Sequence, residues 1–180
     1  AGGGVGQPPR RLMADAPVVV VVMGVSGCGK TTVGKLVAEG LGWEFVEGDE
    51  YHTPENISKM GSGQPLDDAD RRGWMAALNL KLAEVVHAGG RAVLACSALR
   101  AAYRDWLTEG LADRVLFVYI RGEFEAIRQR MEERQGHYMK ANMLRSQFET
   151  LEEPPDVPTY DIALGSDAIA NRLLDDLAEK

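Results

Sequence analysis

The sequence predicts an α/β sandwich of three layers, with helices on both faces of a parallel sheet, and three observations carry that prediction. Residues 18–23 read VVVVVM, a short, wholly apolar, β-branched run of the kind found in a strand buried on both faces. The run is cut off by Gly24-Val25-Ser26-Gly27-Cys28-Gly29-Lys30-Thr31, which matches G-x-x-x-x-G-K-[ST] at every fixed position. Thr32, Val33, Leu36 and Val37 then open a helical pattern, so strand, glycine loop and helix stand in the order that a phosphate-binding loop requires. The fold class is therefore a P-loop NTPase sandwich.

The residue types in the loop follow from its chemistry. Glycines let the backbone curl until successive N–H groups point at a polyphosphate, where side chains would block the approach. Lys30 reaches the β- and γ-phosphates, the Thr31 hydroxyl is a Mg²⁺ ligand, and the following helix adds its positive end.

Composition narrows the class further. A chain of 180 residues, 45% apolar and 26% charged, suits one globular domain with a proper core. A net charge of −7 argues against a nucleic-acid grip, which needs a basic face. Two cysteines, Cys28 and Cys96, make no disulfide framework and suit a reducing, cytoplasmic setting; both read as small fillers. No apolar run approaches the ~20 residues needed to span a bilayer. Residues 1–17 are rich in Gly, Pro and Arg without periodicity and read as a flexible extension, leaving 18–180 as the domain. Arg10 and Arg11 are not followed by an apolar segment with a cleavage site, which argues against a secretory signal.

Taken in order, residues 31–41 form a helix closed by Gly40 and Gly42, and 43–46 a short strand that delivers Glu47-Gly48-Asp49-Glu50-Tyr51-His52 to its carboxyl end. Ligands bind at that end of parallel strands, so Asp49 is placed to accept a proton from a substrate hydroxyl. Alone, such a Gly-Asp pair is as readily a solvated turn. Residues 53–63 form a short helix with Thr53 as cap and Pro54 at its first position. A long helix over 67–87 follows, with Trp74, Leu78, Leu82 and Val85 on one face. Asp67, Asp68 and Asp70 suit the positive start of that helix, whereas Arg71 and Arg72 oppose it: either they are solvated or an anion compensates.

Residues 92–95 form the third strand, 98–108 a helix and 115–120 the fourth strand. The helix over 123–134 carries Phe124, Ile127 and Met131 on one face and Arg128, Arg130 and Arg134 on others. It leads into Gln135-Gly136-His137-Tyr138, as a helical lid over nucleotide phosphates would, although a solvated basic face has the same pattern. A helix over 139–151, a fifth strand over 160–164 and a helix over 167–179 complete the chain.

The blocks MGVSGCGKTTVG, GDEYHTPENISKM, GQPLDDADRRGW, ACSALRAAYRDWL and HYMKANMLRSQFETLEEP together resemble gluconokinases of the small phosphate-loop type, relatives of shikimate kinase. The loop is generic; H-x-x-E-N-x-x-K-M, the ACSAL strand end and SQFETLE make the resemblance specific. It implies ATP-dependent phosphorylation of the 6-hydroxyl of D-gluconate, giving 6-phosphogluconate and ADP. It further implies that Gly24, Val25, Ser26, Gly27, Cys28, Gly29, Lys30, Thr31 and Thr32 bind ATP, with Thr31 on Mg²⁺. Asp49 is then the catalytic carboxylate, assisted by Lys30, Arg130 and Arg134, the arginines from the lid. Arg71 is the residue for the sugar acid's carboxylate, with Asp49, His52, Lys59, His137 and Gln147 for its hydroxyls. Related kinases often read D-x-D after the second strand, and here Glu47 takes the first position. The resemblance also implies a homodimer. The sheet is expected to be five-stranded and parallel in the order 2-3-1-4-5, with the valine run as its central strand, since only a strand covered on both faces tolerates so little alternation.

Three other readings share the loop. A GTP-dependent switch is opposed by the absence of an N/T-K-x-D guanine motif. A shikimate or nucleotide kinase has the same core. A non-catalytic ATP-dependent assembly factor is opposed by the intact Lys30, Thr31 and Asp49.

Overall fold

The valine run forms β1 (Val19–Met23), and none of its five residues has measurable exposure. In the computed structural model, which describes residues 17–133 and 141–179, β1 is flanked by β3 (Ala92–Ala95) and β4 (Val115–Arg121). The edges are β2 (Glu44–Glu47) and β5 (Thr159–Asp161), giving the order β2-β3-β1-β4-β5 with every pair parallel. In register, Val19 stands between Ala92 and Val115. Strand composition follows position. The central β1 and β3 are apolar throughout because both faces are covered, while the edge strands EFVE and TYD each bury a single residue, Val46 and Tyr160.

The helices follow from the crossovers. The step from β1 to β2 runs one way across the sheet and the later steps run the other. Right-handed connections then put α1 (Lys30–Leu41) on one face and α3 (Asp68–His87) with α4 (Ala101–Leu107) on the opposite one. Contacts agree: α1 packs on α7 (Ser166–Glu179), and α3 packs on α4. The short α2 (Pro54–Gly61) precedes α3, and α5 (Phe124–Glu133) and α6 (Ala141–Thr150) pack on one another between β4 and β5. The three-layer sandwich and the sheet order expected from the sequence are therefore present.

Two boundaries differ from expectation by three residues. The fifth strand stops at Asp161, because that side chain accepts a hydrogen bond from the Ala163 N–H at 2.8 Å and turns residues 162–164 into a 3-10 helix. The helix expected from residue 98 begins at Ala101: Ala98 is left-handed (φ 44°), and its carbonyl accepts from the Arg104 guanidinium at 2.7 Å. Residues 1–16 of the expected extension, together with Arg134 and His137, lie outside the described residues.

Candidate active site

A cavity of about 240 Å³ opens at the carboxyl ends of β1, β2 and β3. One wall is the phosphate loop. Gly24 begins it at φ 155°, and a Cβ there would stand 2.8 Å from the Ile120 carbonyl oxygen, so only glycine lets the loop leave β1 against β4. Gly27 has φ 83° and lies under Met131 of α5, which brings that arginine-bearing helix onto the loop. The cap of α1, Gly29, has no side chain to satisfy the first-turn N–H groups, which leaves them for a ligand oxygen. Lys30 is buried in the cavity wall, its ammonium 3.4 Å from the Val25 carbonyl.

The loop is joined to the acceptor side by Glu47. The Thr31 hydroxyl donates to Glu47 Oε2 at 2.6 Å, and Glu47 Oε1 accepts from the Asp49 N–H at 3.4 Å. With its proton given to Glu47, the Thr31 oxygen keeps lone pairs for a hard cation, and a hydroxyl beside a carboxylate is the donor set such a cation takes. Glutamate in place of the usual aspartate thus reaches the loop across the end of the sheet. Among the described residues no cluster of three or more His, Cys, Asp or Glu could hold a metal by itself.

The opposite wall is built from α2, α3 and the turn after β2. Trp74 donates its indole N–H to the Gly48 carbonyl at 2.8 Å, and His52 stacks on the indole at 3.9 Å between centroids. Burial pushes the His52 ring below its ordinary pKa; Asp49 opposes that shift and Arg71 adds to it. Asp49, 71% exposed at its side chain, stands beside the ring with Oδ1 3.9 Å from Nε2. Arg71 is buried, and its guanidinium donates to the Tyr103 hydroxyl at 3.2 Å; that hydroxyl donates in turn to Asp68 at 2.5 Å. Among the described residues no carboxylate lies within 4.0 Å of the Arg71 guanidinium. A buried guanidinium without a counter-ion is costly unless a ligand supplies one. Its neighbour Arg72 lies outward, 5.0 Å above the Trp106 ring.

The structure thus gathers Ser26, Lys30, Asp49, His52, Arg71 and Gln147 around one cavity. Lys59 is held elsewhere: its ammonium lies 2.8 Å from Asp70 and 3.5 Å from Asp67, the two carboxylates of the capping box of α3. Gln147, on α6, is engaged with the loop itself. Its Oε1 accepts from the Ser26 N–H at 2.8 Å, and its Nε2 donates to Ser26 Oγ at 3.0 Å. Arg128 is paired with Glu125 and Glu132, whereas Arg130 is near enough for its field, with that of Lys30, to act on the Cys28 thiol. Burial nevertheless raises Cys28, and raises Cys96 to about 12, so both thiols stay protonated and neither is a nucleophile.

Comparison with known proteins agrees with this geometry. The family model described as shikimate kinase matches residues 26–161. A gluconokinase of Gluconobacter oxydans is 49% identical over 80% of this chain and 80% of its own length. A probable gluconokinase of Rattus norvegicus is 43% identical over 85% of this chain and 91% of its own. The chain belongs to the gluconokinase family. The crystal structure of a gluconokinase from Sinorhizobium meliloti superposes with a TM-score of 0.81 at 43% identity, covering 90% of this chain and 92% of that one.

For this gluconokinase-family chain, several wall residues were not readable as site residues in advance. Trp74 has the spacing of a core position, and Ser97 and Leu99 lie in the ACSAL strand end that marks the family resemblance, which assigned neither of them a role. Their place is set by Arg104, buried in α4, which donates to the carbonyls of Ala98 at 2.7 Å and Glu152 at 3.0 Å. Glu152 in turn accepts from the Ala101 N–H at 2.8 Å. No signal in the sequence marked this arginine, which shares α4 with the exposed Ala101, Ala102 and Asp105.

Proposed function

We propose that the chain transfers the γ-phosphoryl group of ATP to the 6-hydroxyl of D-gluconate, giving 6-phosphogluconate and ADP, and that the cavity between the phosphate loop and α3 holds the sugar acid. The observation that carries this reading is Arg71, a buried guanidinium with no carboxylate paired to it among the described residues, lining the same cavity as Lys30 and Asp49. Its planar fork suits the gluconate carboxylate, which it can bind bidentately. With the carboxylate anchored there, the far end of the chain of hydroxyls reaches toward Asp49 and Lys30.

In the reaction the terminal hydroxyl oxygen attacks the γ-phosphorus, the bond to the β-γ bridging oxygen breaks, and the hydroxyl proton passes to Asp49. Lys30, the first-turn N–H groups of α1 and Arg130 stabilise the charge spread over the transferring group, and Arg134, outside the described residues, is assigned the same role. The Thr31 hydroxyl, with Glu47 behind it, would hold Mg²⁺, which would supply further neutralisation of the phosphates. Gln147 acts on the loop through Ser26. Among the described residues no helix is long and apolar enough to cross a membrane. A homodimer and a cytoplasmic setting complete the reading.

The test is substrate selectivity with and without Arg71. Gluconate should be used far better than glucose, which has no carboxylate, and better than shikimate or a nucleoside monophosphate. Arg71→Ala should lower kcat/KM for gluconate by ~100-fold, as for truncating one side of a buried charge pair, while the KM for ATP stays within ~3-fold. Equal use of glucose and gluconate, or unchanged gluconate kinetics in the variant, would overturn the assignment.

A further inference from the structure

His52 and Asn56 lie one helical turn apart on the acceptor side, and the preceding reaction assigns neither of them a step. Asn56 is 4% exposed, unusual for an asparagine, so its amide must be satisfied inside the protein. Its Nδ2 donates to the Asp70 carbonyl at 3.2 Å, an acceptor with no hydrogen to give, and that bond fixes which end of the amide is nitrogen. The same Nδ2 stands 3.5 Å from His52 Nδ1. An amide nitrogen only donates, so Nδ1 of the ring is the acceptor and the proton of the neutral ring sits on Nε2. Nε2 is the nitrogen that faces Asp49 Oδ1 at 3.9 Å. The ring cannot turn away, because it is stacked on Trp74, which is itself tied to Gly48.

We infer that Asn56 fixes the tautomer of His52 so that its Nε2–H orients the Asp49 carboxylate, making the two residues a positioning pair for the group that takes the substrate proton. The inference rests on the reading of Asp49 as that group. The geometry gives the arrangement its logic. A donor on Oδ1 leaves Oδ2 for the sugar hydroxyl, and a neutral donor orients the carboxylate without cancelling its charge as an imidazolium would. In the opposite tautomer a ring lone pair would face the carboxylate and repel it. At 3.9 Å the Nε2–Oδ1 pair is longer than a formed hydrogen bond, and catalytic contacts of this kind often tighten only in the substrate complex. The groups facing the ring are Asp49 from the turn after β2 and Arg71 from α3, with Asn56 from α2. Burial keeps the ring neutral against the pull of Asp49. His52 therefore serves the carboxylate, and the sugar hydroxyls find their partners elsewhere in the cavity.

Two measurements test this. Isotope-edited NMR of the imidazole nitrogens in the unmodified enzyme, with His52 assigned by its loss in His52→Gln, should show Nδ1 bare and Nε2 protonated; a proton on Nδ1 overturns the inference. Steady-state kinetics should then separate orientation from binding. His52→Phe should lower kcat by ~30-fold, within the range for a misplaced catalytic group, while KM for gluconate and for ATP stays within ~3-fold. His52→Gln, whose amide can donate from nearly the same place, should recover most of that loss. Asn56→Asp, which offers Nδ1 an acceptor and so draws the proton off Nε2, should lower kcat at unchanged KM and move the acid limb of the pH–rate profile upward. A raised gluconate KM at normal kcat in His52→Phe, or a Gln variant no better than Phe, overturns the inference. Asp49→Asn serves as the control: if it keeps turnover, the reading of Asp49 fails; if it abolishes turnover while His52→Phe is normal, only the positioning role fails.

Discussion

The two walls of the cavity are built by opposite means. The nucleotide wall comes from one continuous stretch, β1 to α1, and its chemistry is mostly backbone: curled N–H groups, an uncapped helix start and one lysine. The acceptor wall is assembled from side chains on three separate pieces, with Asp49 and His52 after β2, Asn56 in α2 and Arg71 with Trp74 in α3. Local order suffices for the first because polyphosphate presents a uniform target to N–H groups. The second must discriminate among small hydroxylated molecules, which requires charges and donors fixed at separate points in space. Glu47 connects the walls, from the Thr31 hydroxyl to the Asp49 N–H, while Gln147 ties α6 to the loop through Ser26.

Breaking the nucleotide wall should have the largest effect. Lys30→Ala should lower kcat by ~100- to 1,000-fold, the range for removing one preorganised electrostatic donor, and gluconate binding measured by calorimetry should be little changed. A parallel loss of gluconate affinity would mean that the walls are not separable.

Gly24→Ala should strike the same wall through folding. The added Cβ meets the Ile120 carbonyl oxygen at 2.8 Å and the Cys28 sulfur at 2.7 Å, at a φ of 155° that side chains rarely adopt. A loss of about 2–3 kcal/mol in denaturant unfolding is expected from strain and overpacking together. Unchanged stability would show that the loop can leave β1 by another path.

Gln147→Ala removes a connection rather than a wall. Losing two neutral hydrogen bonds to Ser26 should weaken turnover by ~10-fold, equivalent to about 1.4 kcal/mol, with the change in the KM for ATP exceeding that for gluconate. The reverse split would place Gln147 on the sugar acid.

The smallest effect is on pH. Burial holds the His52 ring below its ordinary value of 6.5, so the unfolded chain takes up the proton first as pH falls. Stability should therefore fall on acidification from about 6.5 downward, and this dependence should be shallower in His52→Gln. Melting temperatures of the two proteins between pH 7 and pH 5 check it; parallel curves would mean that the ring is not buried as a neutral group.

Much of the fold was legible because its signals are local. Five valines without alternation require a strand covered on both faces, and that alone puts β1 at the centre of the sheet. The G-x-x-x-x-G-K-[ST] pattern names the phosphate-facing residues because each is required by backbone geometry within eight positions. Asp67 and Asp70 were readable as helix-start carboxylates for the same reason, and they form a capping box.

Only the tertiary structure decided what the remaining polar residues do. Arg71 and Arg72 are neighbours with the same chemistry, yet one is buried facing the cavity and the other lies over Trp106, a distinction set by which side of α3 meets α4. Lys59 carries the charge a sugar acid would attract, but two carboxylates eight and eleven residues on hold it at the start of α3. The strand expected through residue 164 ends at Asp161 because one side chain turns back on the Ala163 N–H, a competition that strand propensity does not register. The sequence by itself determined the sheet, the loop and the nucleotide wall, since those depend on periodicity and backbone freedom. Which charged side chains face a ligand and which face each other depends on distances between segments far apart in the chain, and only the packing of α2, α3 and α6 around the loop sets those distances.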